Sequence, residues 1–92
     1  MALHDEFSQR QASALADRLR REGGAGLPDQ IRRGFALAVQ RSPNSSELRA
    51  ARQFIADQTA KARAEGKEVP ERVALRSFCL CLLNLNETIY VD

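Results

Sequence analysis

Val73-Ala74-Leu75-Arg76-Ser77-Phe78-Cys79-Leu80-Cys81-Leu82-Leu83-Asn84-Leu85 decides the fold. Its polar side chains are Arg76, Ser77 and Asn84 alone. Wound as a helix after Pro70, the stretch is apolar nearly all the way round, and a helix of that kind asks for burial on all sides. It therefore needs neighbours. In a chain of 92 residues up to three more helices can supply them, and any face left over is expected to be covered by another chain or by a further part of the same one.

Upstream, the punctuation marks out those three neighbours. A first helix is expected from Asp5 to Glu22, with Phe7, Ala12, Leu15 and Leu19 on its inner face. Glu6 with Arg10 and Asp17 with Arg21 form acid-before-base pairs four apart on the outer face. Gly23, Gly24 and Gly26 end it. Pro28 opens a second helix, where a missing N–H does no harm, and Ile31, Phe35, Ala38 and Val39 form its stripe. Gly34 inside that stripe has two readings. It either lets another helix come close over Gly34 and Ala38, or it is a tolerated weak point costing about 1 kcal/mol against Ala. After Arg41, Ser42 and Pro43, the spacing of Asn44 and Glu47 is that of a capping box, so a third helix starts there. Leu48, Ala51, Phe54, Ile55 and Ala62 face inward, and Gly66 stops it. Thr88 to Asp92 alternate in a way that suits a short extended tail. The expected architecture is all-α, a small bundle of about four helices with that tail, forming one helical domain over residues 1–92.

Composition agrees and excludes much. Hydrophobic residues make up 43% and charged residues 28%, the mix of a globular chain rather than a disordered one. A chain of this length buries roughly 60–65% of its unfolded surface, enough for a single core. With Phe7, Phe35, Phe54, Phe78 and Tyr90 as its only rings, that core is built from aliphatic side chains. The formal net charge is only +2, well short of the concentrated field that non-specific nucleic-acid binding uses. Cys79 and Cys81 lie two apart on a helix, pointing to nearly opposite sides, so they neither share a metal nor pair with each other. Both are expected as buried, inert thiols. The lone histidine, His4, stands in a terminal stretch, and no Cys-x-x-Cys-His or Gly-rich phosphate loop occurs. Twelve carboxylates include no pair that spacing singles out for hydrolysis. No metal, cofactor, small-molecule substrate or enzyme activity is therefore expected. Neither a signal peptide nor a bilayer-spanning run is legible, so the chain expressed as written is expected in the cytoplasm.

Two patches carry a resemblance. Leu82-Leu83-Asn84-Leu85-Asn86-Glu87-Thr88-Ile89-Tyr90-Val91-Asp92 is similar to the C-terminal signature of the planctomycete cytochrome-associated domain of unknown function (family 1553), with Thr88 standing where an aromatic is usual. Phe35, Leu37, Ala38, Arg41, Pro43, Glu47 and Leu48 resemble an internal patch of the same family. There Gln40 stands in place of Gly, and Asn44 in place of Thr. The opening His4-Asp5-Glu6-Phe7 and Ala16-Asp17-Arg18-Leu19 resemble the family's preceding helix. The likeness implies that this chain is the C-terminal slice of a larger exported, cell-envelope protein, and that Arg41, Pro43, Glu47, Leu83, Asn84, Asn86, Glu87, Tyr90 and Asp92 are its motif residues.

Physical chemistry gives those residues structural work. Asn84, Asn86 and Glu87 fall where the last carbonyls of a helix want partners. Arg41 is expected to reach a helix C-terminus or a carboxylate such as Glu87. The expected role is a non-catalytic packing or interaction module, engaging a protein partner or a second copy through the apolar fourth helix. The alternative is a small basic helical nucleic-acid-binding protein, prompted by Arg18, Arg20, Arg21, Arg32, Arg33, Arg49 and Arg52.

Overall fold

A computed structural model describes residues 6–24 and 26–90, the side chains of 86–90 excepted. Four helices follow one another: α1 (Glu6–Glu22), α2 (Leu27–Ala38), α3 (Ser45–Ala64) and α4 (Pro70–Tyr90). The described residues contain no strand. Helix α4 touches all three others, whereas α1 and α3 make no contact with each other. It is the axle of the bundle, as its apolar sequence demands.

The boundaries obey local chemistry. Pro28 sits in the first turn of α2, and Asn44 caps α3 through a complete capping box. At the other end of α3, Gly66 takes φ 78°, a left-handed conformation that glycine adopts without Cβ strain. The Lys67 N–H donates to Ala62 O at 3.0 Å and the Gly66 N–H to Arg63 O at 3.1 Å, the paired bonds of a Schellman stop. Helix α4 outruns the sequence reading: Thr88, Ile89 and Tyr90 are still helical. Val91 and Asp92, the rest of the expected tail, lie outside the described residues, as does Asp5, the expected start of the first helix.

The core draws on every helix. Ala12, Ala16 and Leu19 come from α1, Ile31, Phe35 and Ala38 from α2, Ala51 and Ile55 from α3, and Ala74, Leu75, Phe78, Cys79 and Leu82 from α4. Their spacing along α4 defines one buried face, wide because three helices cover it. Burial on all sides is not what α4 achieves. Leu80 and Leu83 are half-buried, Cys81 is exposed and Leu85 is 47% exposed. The face left over is thus confined to the distal part of the helix, where the neighbours run out.

Two azimuths differ from expectation. Helix α1 turns Ser8, Ala12 and Ala16 inward, and Phe7 is 56% exposed, because the small residues allow α1 close against α4 and Phe7 lies one position round. Asp17 pairs with Arg20 rather than Arg21, and Arg18 reaches Glu22 at 2.8 Å.

Gln40 is the only non-glycine with positive φ among the described residues, at 63°. It follows the end of α2, and its N–H donates to Phe35 O at 2.9 Å. A side chain in that conformation costs roughly 1–2 kcal/mol, partly offset in glycine by about 0.4–1 kcal/mol of unfolded-state entropy. Gln40→Gly is therefore expected to stabilise the fold by up to about 1 kcal/mol, raising Tm by roughly 4–8 °C per kcal/mol for a domain of this size. A thermal melt that stays level or falls contradicts this account of the turn.

Candidate functional site

Three of the motif residues, Arg41, Pro43 and Glu47, meet at the corner between α2 and α3. Glu47 is the third residue of α3. Its backbone N–H donates to Asn44 Oδ1 at 2.8 Å, while its Oε1 accepts from the Asn44 N–H at 2.9 Å. Pro43 and Leu48 flank the cap at the two positions that form a hydrophobic staple. Arg41 closes the corner. Its Nη1 and Nη2 donate to Glu47 Oε1 and Oε2, each at 2.7 Å, and Nη1 also reaches Ser42 O at 3.2 Å.

Arg41, expected to reach a helix C-terminus or a carboxylate such as Glu87, forms this two-pronged pair with the carboxylate of Glu47, a partner that the helix start holds within range; the Glu87 side chain lies outside the described residues. The guanidinium also lies over the Phe35 ring, 5.6 Å from its centroid. Phe35 in turn stands 6.4 Å from the Phe78 ring. A chain of contacts so runs from the start of α3, through Arg41 and Phe35, into the middle of α4. The sequence reading missed the Arg41–Phe35 contact. The signal that could have found it is an Arg placed just past the end of a helix whose last turns carry a buried ring.

Electrostatics at the corner follow from that geometry. Hydrogen bonds from Arg41, then from the Asn44 N–H, hold the Glu47 carboxyl down to about 2 from an ordinary 4.5. Because the folded-state value is lowered, the stability this carboxylate supplies is present above pH 4.5 and is lost as pH falls toward 2. Exposure to solvent weakens the effect. The Glu47 carboxyl carbon is expected to titrate in an NMR pH series with a midpoint of about 2. In Arg41→Gln the midpoint should move up but remain below 4.5, since the Asn44 N–H still donates. An unchanged midpoint in that variant removes Arg41 as the main cause. Glu22 is lowered likewise, first by Arg18 and then by Arg33, and it ties the end of α1 to α2 through Arg33 Nη2 at 2.7 Å.

The other motif residues do not join this corner. Leu83 is half-buried on α4 and Asn84 is exposed. Asn84 stands inside the helix rather than at its end, so the last carbonyls of α4 belong to later residues. The side chains of Asn86, Glu87 and Tyr90, with all of Asp92, lie outside the described residues, as does His4.

The two thiols part company. Burial, with a smaller contribution from Cys81, pushes Cys79 up to about 12. Cys81, expected to be buried, is exposed, because the α4 face it occupies has no neighbour among the described residues. Partial desolvation still raises its thiol, so neither sulfur is a ready thiolate nucleophile at neutral pH. Among the described residues no group of His, Cys, Asp and Glu could hold a metal ion, and no helix is long and apolar enough to cross a membrane.

The arginines that prompted the nucleic-acid alternative are largely engaged with carboxylates. Arg18 and Arg33 meet Glu22, Arg20 meets Asp17, and Arg32 meets Asp29 at 3.2 Å. What remains distinctive is apolar. Leu15 on α1, Leu37 on α2 and Leu83 on α4 line one shallow depression with Ala14 and Ala38, rimmed by Gln11 and Arg18. No family model matches the chain, and no match is found among curated proteins or solved structures.

Proposed function

We propose that this chain is a non-catalytic helical packing module, the C-terminal slice of a larger planctomycete-type envelope protein, which engages a protein partner or a second copy through the distal part of α4. The observation that carries the reading is apolar surface left on the helix that builds the core. Leu85 is 47% exposed, Leu80 and Leu83 are half-buried, and Leu83 continues into the depression shared with Leu15 and Leu37. Burying such side chains contributes about 25 cal/mol per Å² of apolar area removed from water. The motif residues at the α2–α3 corner support the same reading, since Arg41 and Glu47 spend their hydrogen bonds on a helix cap rather than on an open site.

Light scattering after gel filtration, with ANS fluorescence alongside, tests the module. The chain is expected to self-associate or to bind ANS, and Leu85→Glu is expected to weaken either effect severalfold without changing the circular dichroism. A strictly monomeric chain that unfolds cooperatively and binds no ANS rejects the reading. The parent protein is tested by the flanking DNA. An upstream reading frame carrying the rest of the family pattern supports a slice, and an unrelated frame removes that part of the proposal.

A further inference from the structure

A second concave surface, sharing no lining residue with the apolar depression, lies between α1, the α3–α4 loop and the start of α4. It is an open cleft of about 390 Å³ lined by Arg20, Lys67, Arg72 and Arg76, with Asp17 and Glu68 as its carboxylates. Four cations against two carboxylates leave a surplus as large as the formal +2 of the whole chain.

Pairing inside the cleft is lopsided. Asp17 is taken by Arg20 and stands 3.9 Å from Arg72, too far for a hydrogen bond. The side chains of Arg76 and Lys67 make no hydrogen bond or ion pair with the described residues, although Arg76 is half-buried on α4. A guanidinium carries five donors in a planar fork and no acceptor. Partly withdrawn from water beside a second guanidinium, it lacks the carboxylate that Arg18, Arg20, Arg32 and Arg33 each have, whereas Arg21 and Arg52, which have none either among the described residues, are exposed to water. The group that best supplies one is a compact dianion with several oxygens, because such oxygens accept two-pronged hydrogen bonds from Arg and a point-charge contact from Lys.

We propose that this cleft binds one phosphate group carried by a small molecule, with Arg76 and Arg72 gripping its oxygens and Lys67 closing over it from the loop. A nucleic-acid backbone is the poorer fit. Asp17 and Glu68 interrupt the positive surface within the cleft, and a strand needs a basic track longer than one group. The proposal is independent of the packing-module reading, since it uses a different face and different residues.

The test is an NMR titration of the full chain at low ionic strength with inorganic phosphate and with glycerol 3-phosphate, taking chloride as the control. Saturable shifts are expected at Arg20, Lys67, Arg72 and Arg76, at phosphate concentrations where chloride gives none. Arg76→Gln is expected to weaken binding about tenfold or more, the loss that follows from removing a charge-assisted hydrogen bond. Lys67→Gln, in an exposed loop where folding is not at stake, is expected to weaken it severalfold. Arg52→Gln, on α3 outside the cleft, should leave it unchanged. Tighter binding of glycerol 3-phosphate than of inorganic phosphate assigns the ligand to phosphorylated small molecules. Equal or weaker binding of the ester, non-saturating shifts, shifts centred elsewhere, or equal affinity in Lys67→Gln overturns the proposal. So does a DNA duplex that binds more tightly than the ester and shifts the arginines over the whole surface.

Discussion

Phe78→Ala is expected to lower the stability of this chain by about 3–5 kcal/mol, the usual cost of removing a buried aromatic ring. The ring is 5% exposed and sits on the axle helix, where it meets Phe35 and lies beside Gly34. Its removal opens a cavity that a local shift closes poorly, because α1, α2 and α3 all pack against α4. It also takes away the support of the Phe35 ring over which Arg41 lies. Small domains are stable by about 5–15 kcal/mol in total, so a loss of this size leaves little in reserve. Urea denaturation followed by circular dichroism measures it: the midpoint should fall sharply while the slope stays close to that of the parent chain. Leu85→Ala, about two turns further along the same helix, is expected to change stability by less than about 0.5 kcal/mol. Similar losses at the two positions would mean that the buried face of α4 has been wrongly placed.

The contrast between Phe78 and Leu85 also shows where reading the sequence succeeds and where it stops. The ends of the helices are local events, set by residues close together in the chain. Pro28 at the start of α2, the Asn44–Glu47 box and the Gly66 stop were therefore legible. That α4 needs three neighbours was legible too, from its composition. Which way each helix faces is decided between elements, and there the pattern misleads. Phe7 reads as core, yet α1 presents Ser8 because the small side chains beside it allow a closer approach. Cys81 reads as buried because the apolar run gives no sign of where the partner helices end. Arg41 has several carboxylates in reach on paper, and only the turn after α2 selects Glu47. The site was legible as a set of recognisable residues around Arg41 and Glu47. Its physical meaning, a guanidinium held between a helix cap and a ring, depends on a separation in space that spacing along the chain does not encode.

Gly34 is the position at which the sequence left two readings open, and the packing decides between them. A Cβ there would lie 2.8 Å from Leu82 Cδ1 and 3.2 Å from Leu19 Cδ1. Both leucines are fully enclosed, at 1% and 0% exposure, so neither can swing its methyl group into solvent. Gly34→Val is therefore expected to destabilise the chain by about 2–3 kcal/mol, the range for overpacking a close-packed core, with the stiffness of a β-branched side chain in a helix adding to the cost. Gly34→Ala is a balance. It recovers about 1 kcal/mol of helix propensity against the displacement of one or two methyl groups, and the net change is expected to stay within about 1 kcal/mol of zero. The decisive measurement is a double-mutant cycle with Leu82→Ala. Leu82→Ala alone should cost about 2–5 kcal/mol through the cavity it leaves. Adding Gly34→Val to that background should restore part of the loss, because the new methyl groups occupy the vacated space. An interaction energy of about 1 kcal/mol or more in that direction is expected for residues in direct contact. Additive losses would show that the two helices do not meet at Gly34, and with that the case for α4 as the shared axle of the bundle would fail.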